Sequence, residues 1–154
     1  MLKTGDTAPA FSLPDQSGNL MSLADFTGSR ALVLYFYPAD FTPGGTKQAC
    51  GIRDMHKDFE ALSLPVLAIS PQSEDSHARF ASQHQLPFPL LVDADKSVIK
   101  AYQVNGPLGF GVRRVTYLIS PEGIIIDALQ ADFRVDEHLS FLKRFIQSQT
   151  SLNG

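Results

Sequence analysis

Residues 37–50 read YPADFTPGGTKQAC and join a predicted strand to a predicted helix. The preceding residues 31–37 form an apolar and aromatic run without polar alternation, which is typical of a central strand covered on both faces. Thr42 is a favourable N-cap and Pro43 suits the first helical position, so a helix is predicted to begin here. The backbone N–H groups of residues 44–45 are then expected to be free at the helix start, where they would attract an anion.

Outside this segment, predicted strands and helices alternate along the chain. Apolar residues at spacings of three and four predict a helix over residues 42–62 with one face packed on the sheet. The remaining predicted elements are a hairpin from residues 11–13 and 20–23, strands 65–70, 89–92, 114–120 and 124–129, and helices 74–84, 96–103 and 136–148. A βαβ start followed by a hairpin and a terminal helix is typical of a thioredoxin-like mixed α/β sheet flanked by helices, although element order alone also fits other open α/β sheets.

Length and charge narrow the class of protein. We expect a single domain over residues 1–154, because this length suits one domain and no repeat or linker interrupts it. Thirteen basic and sixteen acidic residues give a net charge of −3, which does not favour nucleic acid as a partner. The N-terminus lacks the apolar core of a secretion signal, and no apolar run approaches the roughly 20 residues that span a bilayer. We therefore expect a cytoplasmic protein without a membrane partner.

The titratable side chains predict neither a metal site nor a cofactor. Cys50 is the single cysteine, which excludes an internal disulfide and fits a reducing compartment. His77 and His84 lie seven positions apart on a predicted helix without a third ligand, and we expect them at the surface. Residues 44–47 lack the first glycine of a phosphate-binding loop, so no nucleotide cofactor is expected.

The spacing of Pro38, Thr42 and Gly45 matches an active-site signature in which Pro and Thr or Ser precede an attacking cysteine. The chain thus resembles the peroxiredoxins, most closely the bacterioferritin comigratory protein (Q type) branch of the AhpC/TSA family. Further similar segments are residues 8–15, 34–38, 88–93 and 114–119. The resemblance covers nearly the full chain and implies a thioredoxin-like fold. It also implies reduction of hydrogen peroxide and alkyl hydroperoxides, antioxidant defence and a thioredoxin-like reductant.

The resemblance also implies roles for individual residues. Arg114 matches the arginine that holds the thiolate and the peroxide oxygen in this family, with Arg113 as the less favoured neighbour. Cys50 occupies the position of the second, resolving cysteine. Gly45, however, stands where the family keeps its attacking cysteine, and glycine has no side chain that could attack an O–O bond. We expect a pocket for a peroxide or small oxyanion that has lost its thiol, and strongly reduced peroxidase activity.

Helix geometry predicts that Cys50 does not replace the missing thiol. Five residues separate it from Gly45, which corresponds to about 140° and roughly 7.5 Å along an α-helix. The apolar residues Ile52, Met55, Phe59 and Leu62 lie on average nearly opposite Cys50 around the helix. Cys50 is therefore expected to face away from the sheet, without the free N–H groups that lower a thiol pKa.

Three interpretations stay open from the sequence. The first is an impaired peroxidase, inactive or with residual redox activity through Cys50. The second is a non-catalytic thioredoxin-fold module, a monomer or weak homodimer, that binds an anion or a partner protein. The third is that Gly45 is not native but results from engineering or a sequence error.

Overall fold

The computed structural model describes residues 1–153, which form seven strands and five α-helices. The strands are β1 (Ser12–Pro14), β2 (Leu20–Ser22), β3 (Leu32–Phe36), β4 (Val66–Ser70), β5 (Leu90–Val92), β6 (Val115–Ile119) and β7 (Ile125–Gln130). The helices are α1 (Pro43–Arg53), α2 (His56–Ala61), α3 (Glu74–His84), α4 (Ser97–Ala101) and α5 (Val135–Asn153). Short 3₁₀ turns cover Leu23–Asp25 and Pro107–Gly109.

Five strands form one mixed sheet in the order β5-β4-β3-β6-β7. The strands β3, β4 and β5 are parallel, whereas β6 and β7 are antiparallel to their neighbours. The strands β1 and β2 form a separate antiparallel hairpin. Both the mixed central sheet and the N-terminal hairpin agree with the sequence-based prediction.

The central strand β3 separates two hydrophobic cores. Alternate residues of a strand point to opposite faces, and every residue of β3 is buried. One core unites Leu34 with the hairpin and α4. The other unites Tyr35 with α1, α2, α3 and α5. The strand therefore carries no polar alternation because both of its faces are covered by other elements.

The predicted helix over residues 42–62 is in fact two helices. The Met55 N–H donates to the Ile52 carbonyl at 3.0 Å, three residues back, which tightens the chain into a turn between α1 and α2. Ile52, Met55 and Phe59 are nevertheless all buried in the same core. Apolar spacing does not detect the break, because the residues on either side of it still reach the same buried face.

The sheet topology places two loops at one edge. The C-terminal end of β3 pairs with the start of β6 through Phe36 and Val115. Residues 37–42, which follow β3, therefore lie beside residues 113–114, which precede β6. Within the described residues, no helix combines the length and apolarity that crossing a bilayer requires.

The buried His138 anchors α5 to this edge of the sheet. Its Nε2 donates to the Ala131 carbonyl at 2.9 Å, and its Nδ1 accepts a hydrogen bond from the Thr116 hydroxyl at 2.8 Å. Burial lowers the pKa of His138, and the nearby Arg114 lowers it further. The imidazole is therefore neutral, with its hydrogen on Nε2.

Acidification is expected to destabilise the protein through His138. Because the folded-state pKa lies below the ordinary value of 6.5, the unfolded chain takes up this proton first as the pH falls. The contribution of neutral His138 to the free energy of unfolding is complete above about pH 6.5. Below that pH the free energy of unfolding falls by up to about 1.4 kcal/mol per pH unit. Urea unfolding at several pH values measures the slope of the free energy of unfolding against pH for wild type and His138→Gln. His56→Gln, which replaces a half-exposed histidine, is the control. Equal slopes for wild type and His138→Gln would contradict the prediction.

Candidate functional site

Thr42 closes the start of α1. Its backbone is extended (φ −81°, ψ 153°) and Pro43 occupies the first helical turn, as predicted. Thr42 Oγ1 accepts a hydrogen bond from the Gly45 N–H at 3.1 Å, and its hydroxyl donates to the Ala39 carbonyl, also at 3.1 Å. The expectation of a free N–H at Gly45 is wrong, because an N-cap side chain satisfies the N–H three positions later.

Gly45 is buried, and the space in which a side chain would begin is occupied. A Cβ on Gly45 would lie 2.7 Å from the Ala39 carbonyl oxygen and 2.8 Å from Thr42 Oγ1. The carbonyl belongs to the backbone, so a side chain at residue 45 requires residues 38–42, here called the site loop, to move. The predicted pocket is therefore closed at the point where the thiol would be attached.

Arg114 lies against the first turns of α1. It is buried, its Nη1 donates to Gln48 Oε1 at 2.6 Å, and its Nη2 lies 3.2 Å from the Cβ position of Gly44. Burial lowers the pKa of Arg114, an effect that the neighbouring Tyr35 and Asp132 oppose. The topology thus brings Arg114 to the helix start, beside the Cβ position of Gly44.

Two buried nitrogen atoms of this cluster lack hydrogen-bond partners within residues 1–153, namely Arg114 Nε and Gln48 Nε2. Both carry N–H groups and can only donate. Gln48 is completely buried, and Arg114 forms no ion pair in the part of the chain that the structure describes. Buried donors are normally satisfied, so these two N–H groups keep unmet hydrogen-bonding capacity.

Arg113 points toward a different partner. Its Nη1 lies 3.4 Å from Asp132 Oδ2, and its side chain is 38% exposed. The other oxygen of Asp132 accepts the Arg114 backbone N–H at 2.9 Å. Successive residues of an extended chain face opposite sides, so only Arg114 reaches α1.

A buried polar network under the site loop was missed by the sequence analysis. The Tyr37 hydroxyl donates to Asp40 Oδ1 at 2.6 Å, and His77 Nδ1 lies 2.7 Å from Asp40 Oδ2. The predicted surface position of His77 is wrong, because its side chain is completely buried. Its spacing of three and four residues from the buried Phe80 and Ala81 on α3 is the signal that could have revealed this.

Pro38 and Cys50 lie at the margins of the site. Pro38 follows β3, is half-buried, and accepts a hydrogen bond at its carbonyl from the Ser70 hydroxyl at 3.5 Å. Cys50 is a free, half-buried thiol in α1. Its neighbour Ala49 is buried in the core, whereas Cys50 itself is only partly covered. The residues described contain no group of three or more His, Cys, Asp and Glu suited to hold a metal ion.

A methyl group at residue 45 is expected to destabilise the protein, although alanine normally stabilises a helix by up to about 1 kcal/mol relative to glycine. In Gly45→Ala the added Cβ must displace the Ala39 carbonyl, and overpacking of this kind costs about 1–3 kcal/mol. Urea unfolding measures the difference. Gly44→Ala is the matched control, because its Cβ would meet the flexible end of Arg114 at 3.2 Å. A Gly45→Ala variant as stable as Gly44→Ala would show that the site loop yields without cost.

Comparison with known proteins gives consistent matches over most of the chain. The model of the AhpC/TSA family matches residues 4–128. Peroxiredoxin Bcp of Escherichia coli K12 is 42% identical over 143 residues, covering 89% of this chain and 90% of that protein. The crystal structure of peroxidoxin BcpB from Mycobacterium tuberculosis has a TM-score of 0.88 at 34% identity, covering 96% of this chain and 98% of that one. The bacterioferritin comigratory protein of Xanthomonas campestris has a TM-score of 0.82 at 28% identity and covers 90% of both chains.

These similarities confirm the thioredoxin-like fold and the predicted relationship to the bacterioferritin comigratory proteins. The matched region includes the whole mixed sheet up to Ala128 in β7, together with the site loop and α1. Through both its sequence and its fold, the chain belongs to the AhpC/TSA family of peroxiredoxins.

Proposed function

We propose that this chain is a cytoplasmic member of the thiol-peroxidase lineage whose peroxidase turnover is lost or strongly impaired. The observation that carries the proposal is Gly45, at the position where the resemblance places the attacking cysteine. Nucleophilic catalysis requires a thiolate at that point, held by the helix start and by Arg114. The closed space above Gly45 supports the same conclusion, because even a Cβ there would lie 2.7 Å from the Ala39 carbonyl oxygen and 2.8 Å from Thr42 Oγ1.

Cys50 is not equipped to replace the missing nucleophile. It lies in the eighth position of α1, where the backbone N–H groups are used by the helix, and its own carbonyl accepts the Asp54 N–H at 3.0 Å. A thiolate there lacks the donors that would stabilise it. Residual redox activity through Cys50 would require the first turns of α1 to unwind, which the Thr42 cap opposes.

The substrate class of the lineage follows from its relatives. The Xanthomonas campestris protein has been described in terms of alkyl peroxide reduction, trapped as intermediate and ligand complexes. Hydrogen peroxide, alkyl hydroperoxides and a thioredoxin-like reductant are accordingly the reactants that a restored thiol at residue 45 would use.

The proposal predicts that peroxide consumption returns only with a thiol at residue 45. Wild type and Cys50→Ser should both consume alkyl hydroperoxide no faster than a free thiol. In Gly45→Cys the site loop must first yield to the new side chain. Once it has, the rate should exceed that of a free thiol by at least about 100-fold, because preorganised donors at an oxyanion contribute factors of that size. Stopped-flow peroxide consumption with a thioredoxin-like reductant, together with intact mass after sulfenic-acid trapping, provides the measurement.

Cys50→Ser is also introduced into Gly45→Cys, so that turnover can be assigned to one sulfur atom. Rapid turnover of the wild type that Cys50→Ser abolishes would overturn the proposal and transfer the chemistry to Cys50. A Gly45→Cys variant that folds but gains no activity would show that Arg114 and Thr42 do not support a thiol there.

A second candidate function, non-catalytic binding of a small oxyanion, is favoured by the unpartnered donors of Arg114 and Gln48. Both unpartnered nitrogens, Arg114 Nε and Gln48 Nε2, can only donate. The Arg114 guanidinium is also positively charged, and no carboxylate pairs with it in residues 1–153. A small anion would accept hydrogen bonds from these donors and would also balance the positive charge. In the relatives a thiolate would supply part of that negative charge, and here a small anion would take its place.

Anion binding predicts a thermal stabilisation that depends on Arg114. Formate or nitrate, added at constant ionic strength, should raise the Tm of the wild type progressively, as expected for a ligand that binds only the folded state. Arg114→Met should lose this response, whereas Arg113→Met should keep it, because Arg113 is paired with Asp132 and half-exposed. Identical responses of wild type and Arg114→Met would exclude an anion at this position.

A further inference from the structure

The Asp40 carboxylate is buried in the site loop, and three donors converge on it. The Tyr37 hydroxyl donates to Oδ1 at 2.6 Å. The Ser76 hydroxyl donates to Oδ2 at 2.8 Å, and His77 Nδ1 lies 2.7 Å from the same oxygen. Tyr37 follows β3, whereas Ser76 and His77 belong to α3. A single side chain of the site loop is thus tied to two other elements.

The hydrogen-bond partners of the two ring nitrogens indicate how many hydrogens the His77 ring carries. Its Nε2 lies 3.1 Å from the Leu91 carbonyl, which can only accept, so Nε2 carries a hydrogen. Its Nδ1 faces an ionised carboxylate and therefore carries a hydrogen too, at a distance typical of charge-assisted bonds. Burial raises the pKa of Asp40, but the hydrogen bonds from His77, Tyr37 and Ser76 outweigh it and hold the pKa below its usual value. Both ring nitrogens of His77 thus face acceptors, the Leu91 carbonyl and the Asp40 carboxylate, in the interior.

No other charge competes for this pair within the described part of the chain. The remaining charged residues in the first turns of α3 are exposed, and Asp75 forms its own ion pair with Arg79 at 3.1 Å. On the side of β3 the neighbour is the Tyr37 phenol, and burial raises its pKa well above the ordinary value. On the side of β5 the neighbour is the neutral Leu91 carbonyl.

We propose that His77, in its doubly protonated form, is the positioning residue of the site loop. Through Asp40 it anchors the loop to α3 and β5, and this anchor holds the Ala39 carbonyl and Thr42 Oγ1 against Gly45. His77 touches none of the reacting positions itself. It acts through Asp40, one residue after Ala39 and two before Thr42.

The backbone of the loop explains why such an anchor is needed. Phe41 has a left-handed conformation (φ 62°), which is unfavourable for a bulky residue and persists only where surrounding contacts impose it. Its ring packs edge-on against Phe80 of α3, with the centroids 5.2 Å apart. Asp40 and Phe41 are thus both held by α3. Loss of the charged bond from His77 would let this segment relax, so that Thr42 leaves the Gly45 N–H.

The charge state of His77 is tested first, in the unmodified protein. Nitrogen-15 NMR at neutral pH should show a directly bonded hydrogen on both ring nitrogens of His77, whereas the buried His138 should show one, on Nε2. In Asp40→Asn, His77 should lose one of its two N–H signals. A wild-type His77 with a single N–H would place the proton on Asp40 and overturn the proposal.

Hydrogen exchange tests the positioning role. In His77→Gln, and to a smaller extent in Ser76→Ala, the Gly45 amide should exchange at least about tenfold faster relative to the amides of β3 and β6, because only the loop is released. His138→Gln is the matched control, since it removes an equally buried histidine of α5 that bonds to Thr116 and Ala131 but not to the loop. Acceleration that is uniform across the sheet, or equal in His138→Gln, would reduce His77 to a general contributor to stability and overturn the proposal.

Discussion

A buried carboxylate must be matched by hydrogen-bond donors, and this requirement at Asp40 determines the path of the chain between β3 and α1. An unpaired charge in the interior costs several kcal/mol, so the loop must deliver Asp40 to the point where Tyr37, Ser76 and His77 converge. Thr42, two residues after Asp40, then lies at the N-cap of α1. The relative positions of β3, α1 and α3 are thus linked through one side chain.

The glycine at residue 45 is part of the same arrangement. The site loop approaches α1 so closely that the Cβ position is already filled by the Ala39 carbonyl and the Thr42 hydroxyl. The Gly45 N–H is used inside the protein, and Arg114 is left with the neutral oxygen of Gln48 as its acceptor. The proposed loss of the thiol is therefore accompanied by a backbone N–H that is already bonded and by a positive charge without a carboxylate partner in residues 1–153. An open pocket that lacked only a sulfur atom would have neither feature.

Local signals in the sequence were sufficient for the framework. The unbroken apolar run of β3 and the Thr42–Pro43 helix start depend on short-range patterns, and the structure has both where they were predicted. Thr42 as an N-cap also implied the bond to Gly45, three residues on, so the expectation of a free N–H there contradicted the cap itself. The break at Met55 and the burial of His77 depend on tertiary contacts. The spacing of His77 from Phe80 and Ala81 was a local sign of burial, but its partner Asp40, 37 residues away, becomes known only from the tertiary fold.

Two conditions for thiol chemistry can therefore be separated in this fold. The first is a nucleophile at residue 45, which a single substitution supplies. The second is room for that nucleophile, and this depends on where the site loop is held by Asp40 and His77. A cysteine introduced at residue 45 must displace the Ala39 carbonyl, whereas the next residue, Asp40, is held on α3 by Ser76 and His77. The reactivity of such a thiol is consequently set as much by the buried ion pair on α3 as by Arg114 and the helix start beside it.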